Sequence, residues 1–180
     1  MAVVPHGHTR PQGGTRTVGA AFAPSAEGGE ALRAAARLAR ASGARLRAVM
    51  ALSPKHAAEQ SPGLLAGQHH DRDASEDIST RHRIDAESML QQALAEHAGD
   101  VEAETDILFQ DPAHALVAAS ANLDLLVMGS RAYGPLKSVV LGGVSRRVTA
   151  GAECPVIVLP RGTERALEAL LPGAGAQAAG

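Results

Sequence analysis

LLVMGSRAYGPLKSVVLGGVSRRV, from Leu125 to Val148, is the stretch on which the reading of this chain turns. It begins in the continuous apolar run LDLLVMG, Leu123–Gly129, which is how a strand covered on both faces reads. Gly129 ends that strand, and Gly142-Gly143 open a short helix over Gly143–Ala150. A second continuous apolar run, CPVIVL (Cys154–Leu159), follows. In an open α/β sheet, ligands bind outside the carboxyl ends of the strands, near the point where strand order reverses. Glycines there let backbone N–H groups approach phosphate oxygens with no Cβ in the way. A helix start at Gly143 adds unpaired donors and a favourable dipole, and Arg131 and Lys137 bring positive charge nearby. The same glycines also serve turns and helix packing with no ligand, and spacing alone does not separate the two uses. Neither GK[ST] nor the dinucleotide fingerprint is present.

Working back from that loop, the chain alternates strand and helix patterns. TVGAAF (Thr17–Phe22) is followed by Ser25, placed to cap a helix with Glu27 in its first turn. Leu32, Ala35, Ala36 and Ala39 fall at helical spacing, and Gly43 is placed to end that helix. LRAVMAL (Leu46–Leu52) completes a strand–helix–strand unit of the size of a right-handed crossover. Residues Ser53 to Ser75 form a polar insertion with Pro54, Pro62, Gly63 and Gly67. A helix is expected over Glu76–His97, with Ala86, Met89, Leu90, Ala93 and Leu94 inward. VEAETDILF (Val101–Phe109) alternates apolar with acidic residues, which places it at a sheet edge with one solvated side. Asp111-Pro112 starts another helix, with Leu116 and Ala119 inward. The order predicts an α/β fold of Rossmann-like type: a five-stranded parallel sheet with helices on both faces.

Composition narrows the function classes. Aromatic residues are 2% of the chain, so aliphatic side chains and alanine must fill the core. A net charge of −2 gives no electrostatic case for nucleic acid or an anionic membrane. No apolar run is long enough to span a bilayer and no signal-peptide pattern opens the chain, so the expected location is cytoplasmic. Cys154 is the single cysteine and lies in an apolar run, where a buried, inert thiol is expected.

The Leu125–Val148 segment resembles the signature of the universal stress protein family in its ATP-binding branch, G-x2-G-x9-G-[ST]. The likeness continues through SRRVTAGAECPVIVLPRG and includes the DPAHAL helix and the ALRAAARLARASGARLRAVM block, covering Thr17–Gly162. The resemblance implies strand order 3-2-1-4-5, the adenine nucleotide alpha hydrolase-like arrangement, and ATP or AMP as ligand, with no metal beyond the Mg2+ that accompanies a nucleotide. It also implies a homodimer through the last strand, or a pseudo-dimer when two domains share a chain. Carried over by position, the family's first and third glycines fall on Gly129 and Gly142, while Val144 and Ala51 match positions lining the pocket. Three positions depart: Ala132 stands for the second glycine, Gly143 for the hydroxyl residue, and Ala23 for the acidic residue that reads the adenine and ribose region. Losing a hydroxyl and a carboxylate, at about 1.5–3 kcal/mol each, weakens affinity by roughly two to four decades.

AVVPHG at residues 2–7 reads like IVLPRG at residues 157–162, as though the chain opened with a copy of its own last strand. Chance is one reading; the other is the second half of a tandem protein, with His8–Thr15 as linker. Residues 1–15 are accordingly taken as a linker or the remnant of a preceding repeat, 16–162 as the domain and 163–180 as a tail. His69, His70, Asp71 and Asp73 lack metal-ligand spacing. His82, Asp85 and Glu87 read as a solvated helix face, and Ser130 and Ser145 lack a nucleophile elbow. The chain is therefore read as a non-catalytic stress-response module. A slow ATP-hydrolysing or nucleotide-transferring enzyme and a ligand-free structural module are the alternatives.

Overall fold

Ser25 stands in extended backbone, and its Oγ accepts a hydrogen bond from Gly28 N at 3.2 Å, as a helix cap must. The helix it starts, α1 (Ala26–Ser42), ends at Gly43, whose φ of 65° is the left-handed conformation in which glycine carries no Cβ penalty. These local signals recur through the computed structural model, which describes residues 1–5, 14–53, 72–99, 101–130 and 141–160, and the backbone alone over 72–79. The remaining elements are β1 (Ala2–Val3), β2 (Thr17–Phe22), β3 (Arg45–Ala51), α2 (Arg72–His97), β4 (Ala103–Leu108), α3 (Pro112–Ser120), β5 (Leu125–Ser130), α4 (Gly143–Gly151) and β6 (Val156–Pro160). The polar insertion with His69, His70 and Asp71, and the tail from residue 161, lie outside the described residues.

The sheet order is β1-β6-β5-β2-β3-β4. Its five longer strands run parallel in the expected 3-2-1-4-5 arrangement. The sheet nevertheless has six strands, not five. Ala2–Val3, expected in a linker or repeat remnant, pairs antiparallel with β6, with Ala2 opposite Ile157 and Val3 opposite Val156. An extended segment of apolar, β-branched residues satisfies the open N–H and C=O groups that an edge strand otherwise leaves exposed.

Side-chain alternation divides the core into two layers. Val18, Ala20, Leu46, Ala48 and Val127 point toward α1 and α2, where Ala31, Leu32, Ala35, Ala36 and Ala39 are buried. Leu126, Met128, Val156 and Val158 point the other way, against Leu116 of α3 and Val148 of α4. Small alanine faces bring α1 close to the sheet, which is how so few aromatics suffice. At the far edge, β4 carries Glu104 and Asp106 outward, and Asp106 accepts from Arg47 Nε at 2.6 Å. Met89 departs from expectation: it is 42% exposed, while Ala86, Leu90, Ala93 and Leu94 are buried. It flanks the apolar stripe of α2 on the side where a cleft, rather than the sheet, lies beneath.

Cys154 is 1% exposed, and burial pushes its thiol up to about 11. Reaction with a thiol reagent at pH 8 is therefore expected only after unfolding, since the thiolate is the nucleophile. Ser120, also 1% exposed, joins two elements. Its Oγ donates to Val117 O at 2.6 Å and accepts from Glu153 N at 2.9 Å, between α4 and β6. Ser120→Ala leaves the Glu153 donor without that partner and should lower unfolding free energy by about 1–3 kcal/mol in a urea titration.

Candidate functional site

Between β2 and β5 the order of the sheet reverses. The chain leaves β2 toward β3 and β4, then returns to place β5 on the opposite side of β2. The helices that follow the two strands diverge there, opening a cleft at the carboxyl ends. Its volume is about 710 Å³, within the range of small-molecule sites. Ala23, Ala51, Gly129, Gly142, Gly143 and Val144, each singled out from the sequence, line this one cleft. Arg131 and Ala132, with Lys137, lie outside the described residues.

The glycines do two different jobs. A Cβ on Gly129 would overlap the backbone carbonyl of Glu27, in the first turn of α1. Gly28 meets the backbone of Ala23 in the same way. Neither backbone can yield as a flexible side chain would, so these two glycines let α1 seat against β5 and against its own entry turn. Gly142 and Gly143 are different. Ideal Cβ atoms built on them meet nothing within 4 Å among the described residues, and Gly142 has a φ of −63°, open to any residue. Gly142 caps α4 with no side-chain hydrogen bond, so among the described residues the first N–H groups of the helix carry no side-chain cap at the cleft wall.

Two polar contacts hold that helix in place. Asp111 caps α3, accepting from Ala113 N and His114 N at 3.1 Å each, and also takes Arg147 of α4 at 2.7 and 2.9 Å. The Arg147 guanidinium, then the His114 amide, hold the Asp111 carboxyl below its ordinary 3.8. Its stabilising contribution is thus complete above 3.8 and fades as pH falls through the depressed value. At the other end of the helix, Ser120 anchors the exit toward β6.

His82 and Asp85, read from the sequence as part of a solvated face, line the cleft from α2 together with Met89. Glu87 turns elsewhere, accepting from Thr105 Oγ1 at 2.7 Å. The signal was present: residues 82, 85 and 89 lie at i, i+3 and i+7, a stripe beside the apolar one. Glu27, Ser25 and Asp111 also line the cleft, Glu27 being only 4% exposed. Among the described residues no group of three or more His, Cys, Asp or Glu side chains is placed to hold a metal ion, and no helix is long and apolar enough to cross a membrane. Ser145 is buried at the cleft wall, whereas Ser130 is buried outside it.

The model of the universal stress protein family matches residues 14–160. A universal stress protein of Thermus aquaticus is 34% identical over 124 residues, covering 67% of this chain and 81% of that protein. Among solved structures, a universal stress protein in complex with cAMP superposes with a TM-score of 0.56 at 23% identity, over 82% of this chain and 98% of the other. The universal stress protein from Archaeoglobus fulgidus in complex with dAMP gives a TM-score of 0.50 at 24% identity, over 80% and 96%.

The two classes of glycine should respond in opposite directions. Gly129→Ala forces backbone against backbone and should destabilise by about 1–3 kcal/mol in denaturant unfolding. Gly143→Ala, in helical backbone with open space, should stabilise by about 0.4–1 kcal/mol.

Proposed function

The chain belongs to the universal stress protein family, and on that premise we propose that its cleft binds an adenine nucleotide, ATP or AMP, in a non-catalytic stress-response module of the cytoplasm. The observation that carries this reading is the bare start of α4: two glycines that no described residue crowds, lining a cleft at the switch point. The cleft volume and the absence of Cβ atoms there fit a phosphate group. Backbone N–H groups of the first α4 turn would hold its oxygens, with the helix dipole favouring the negative charge. Ala23, Ala51 and Val144 would line the cleft around the rest of the ligand, and Mg2+ would accompany ATP. Two universal stress proteins of similar fold carry cAMP and dAMP, ligands of the same chemical class.

Ala23 offers no carboxylate to the sugar and Gly143 no hydroxyl to the phosphates, so binding is expected to be weak, with Arg131 as a further cationic contact. Self-association through β6 is the second half of the proposal, as a homodimer or as a pseudo-dimer with a preceding tandem domain. Its physical basis is the apolar, β-branched VIVLP of that strand.

Calorimetric titration of the chain with ATP and with AMP, in Mg2+, should give saturable heat. Gly143→Leu fills the open space with a good helix former and should abolish that heat while leaving the melting temperature unchanged or raised. No heat at millimolar nucleotide overturns the reading. His82 and Asp85 on the cleft wall favour slow hydrolysis as the second reading. Phosphate release above background, lost in His82→Ala with nucleotide binding retained, would establish it.

A further inference from the structure

The strand that covers the β6 edge is built like β6 itself. Met1 N donates to Val158 O at 2.8 Å, and Val158 N donates back to Met1 O at 2.7 Å. That reciprocal pair alternates, in an antiparallel ladder, with a non-hydrogen-bonded pair at Ala2 and Ile157. Val3 and Val156 are then the next hydrogen-bonded pair. The sequence likeness sets Ala2 in the place of Ile157, Val3 in that of Val158 and Pro5 in that of Pro160. Transposed through this likeness, the observed register is the one a second copy of β6 would take, with Ile157 facing the partner's Ile157 on a two-fold axis. Identical antiparallel strands form such an isologous contact by symmetry.

We propose that Met1–Val4 is an internal substitute for a second copy's β6, covering the self-association edge and holding the chain monomeric until it is displaced. This rests on the proposed pairing through β6, and adds what controls it. The cover is built to come off. It is a two-residue strand against a five-residue one, and Met1 and Val4 are 45% and 61% exposed. A second β6 would pair along more of the edge. Without either occupant, VIVLP would present an uncharged, strand-forming edge, the kind that aggregates.

The test is sedimentation velocity over a concentration series on the full chain and on Val3→Pro. Proline removes one N–H from the cover and alters nothing in β6. The full chain should stay monomeric over a range in which Val3→Pro dimerises, with a dissociation constant at least ~tenfold lower for the variant. Ile157→Cys supplies the register: with an added thiol oxidant it should cross-link rapidly in the Val3→Pro background and at least ~tenfold more slowly alone. Hydrogen exchange at the Val158 amide reads the cover without needing association. It should be protected in the monomeric full chain and lose protection in monomeric Val3→Pro. Equal dimerisation by both chains overturns the cover and leaves β6 pairing standing. Strict monomers in both, with Val158 deprotected in the variant, sink the pairing itself. A dimeric full chain beside a monomeric Val3→Pro means that Met1–Val4 is exchanged between copies, which also overturns an internal cover.

Discussion

The carbonyl group of Glu27 lies where a side chain on Gly129 would have to go. That close approach decides how deeply α1 sits against the end of β5, and much else follows from it. With Gly28 pressed on the Ala23 backbone and Ser25 capping the helix, the β2–α1 turn becomes a fixed floor. The alanines of α1 then reach the sheet with little side chain between, so the core closes largely with aliphatic residues, Phe22 being its one buried aromatic among the described residues. The cleft is what remains above this floor once α1 leaves in one direction and α4 in the other. Its geometry is a consequence of backbone packing, present before any ligand is considered.

Opposite that floor, the cleft wall is set by polar contacts. Asp111 caps α3 and grips Arg147 of α4, so one carboxylate positions two helices. Asp124 acts similarly at the other end of the sheet, accepting from the N–H groups of Arg16 and Thr17 at 2.7 and 2.9 Å as β2 begins. In each case a short acidic side chain satisfies helix-end or strand-end donors that would otherwise lack partners. Removing such a residue would loosen the relation between elements rather than the elements themselves.

The elements that sequence reading placed well are those whose cause is local. Ser25 and Gly43 delimit α1 because capping depends on neighbours within a few residues. The alternation of β4 and the unbroken apolar runs of β5 and β6 distinguish an edge from the interior, as burial on one face or two requires. Four residues show where that kind of reading fails. Met89 carries an apolar side chain at a nearly correct helical angle, yet nothing in its own turn tells whether sheet or cleft lies below. His82 and Asp85 look like any solvated stripe until α2 is laid along the cleft. Val3 belongs to a segment too short to carry a period, and its strand exists only because β6 has an open edge many residues away. The six motif positions among the described residues that converge on the cleft were reached through the family resemblance, and the strand order is what brings them together.

The signature around the loop combines positions of two physical kinds, and this chain separates them. Gly129 answers a demand made by the protein: a Cβ there meets backbone, whatever occupies the cleft. Among the described residues Gly142 answers no such demand, since its dihedral angles suit any residue and its missing side chain meets none of them. The departures at Gly143 and Ala23 likewise fall at the cleft lining, where the fold imposes little. A chain can therefore keep the architecture of this family while its grip on a ligand drifts, because architecture and grip depend on different atoms. What argues for a ligand is thus not the glycine that matches the motif at the strand end. It is the pair at the helix start, where backbone donors line a cleft and no described residue fills the space the missing side chains would take.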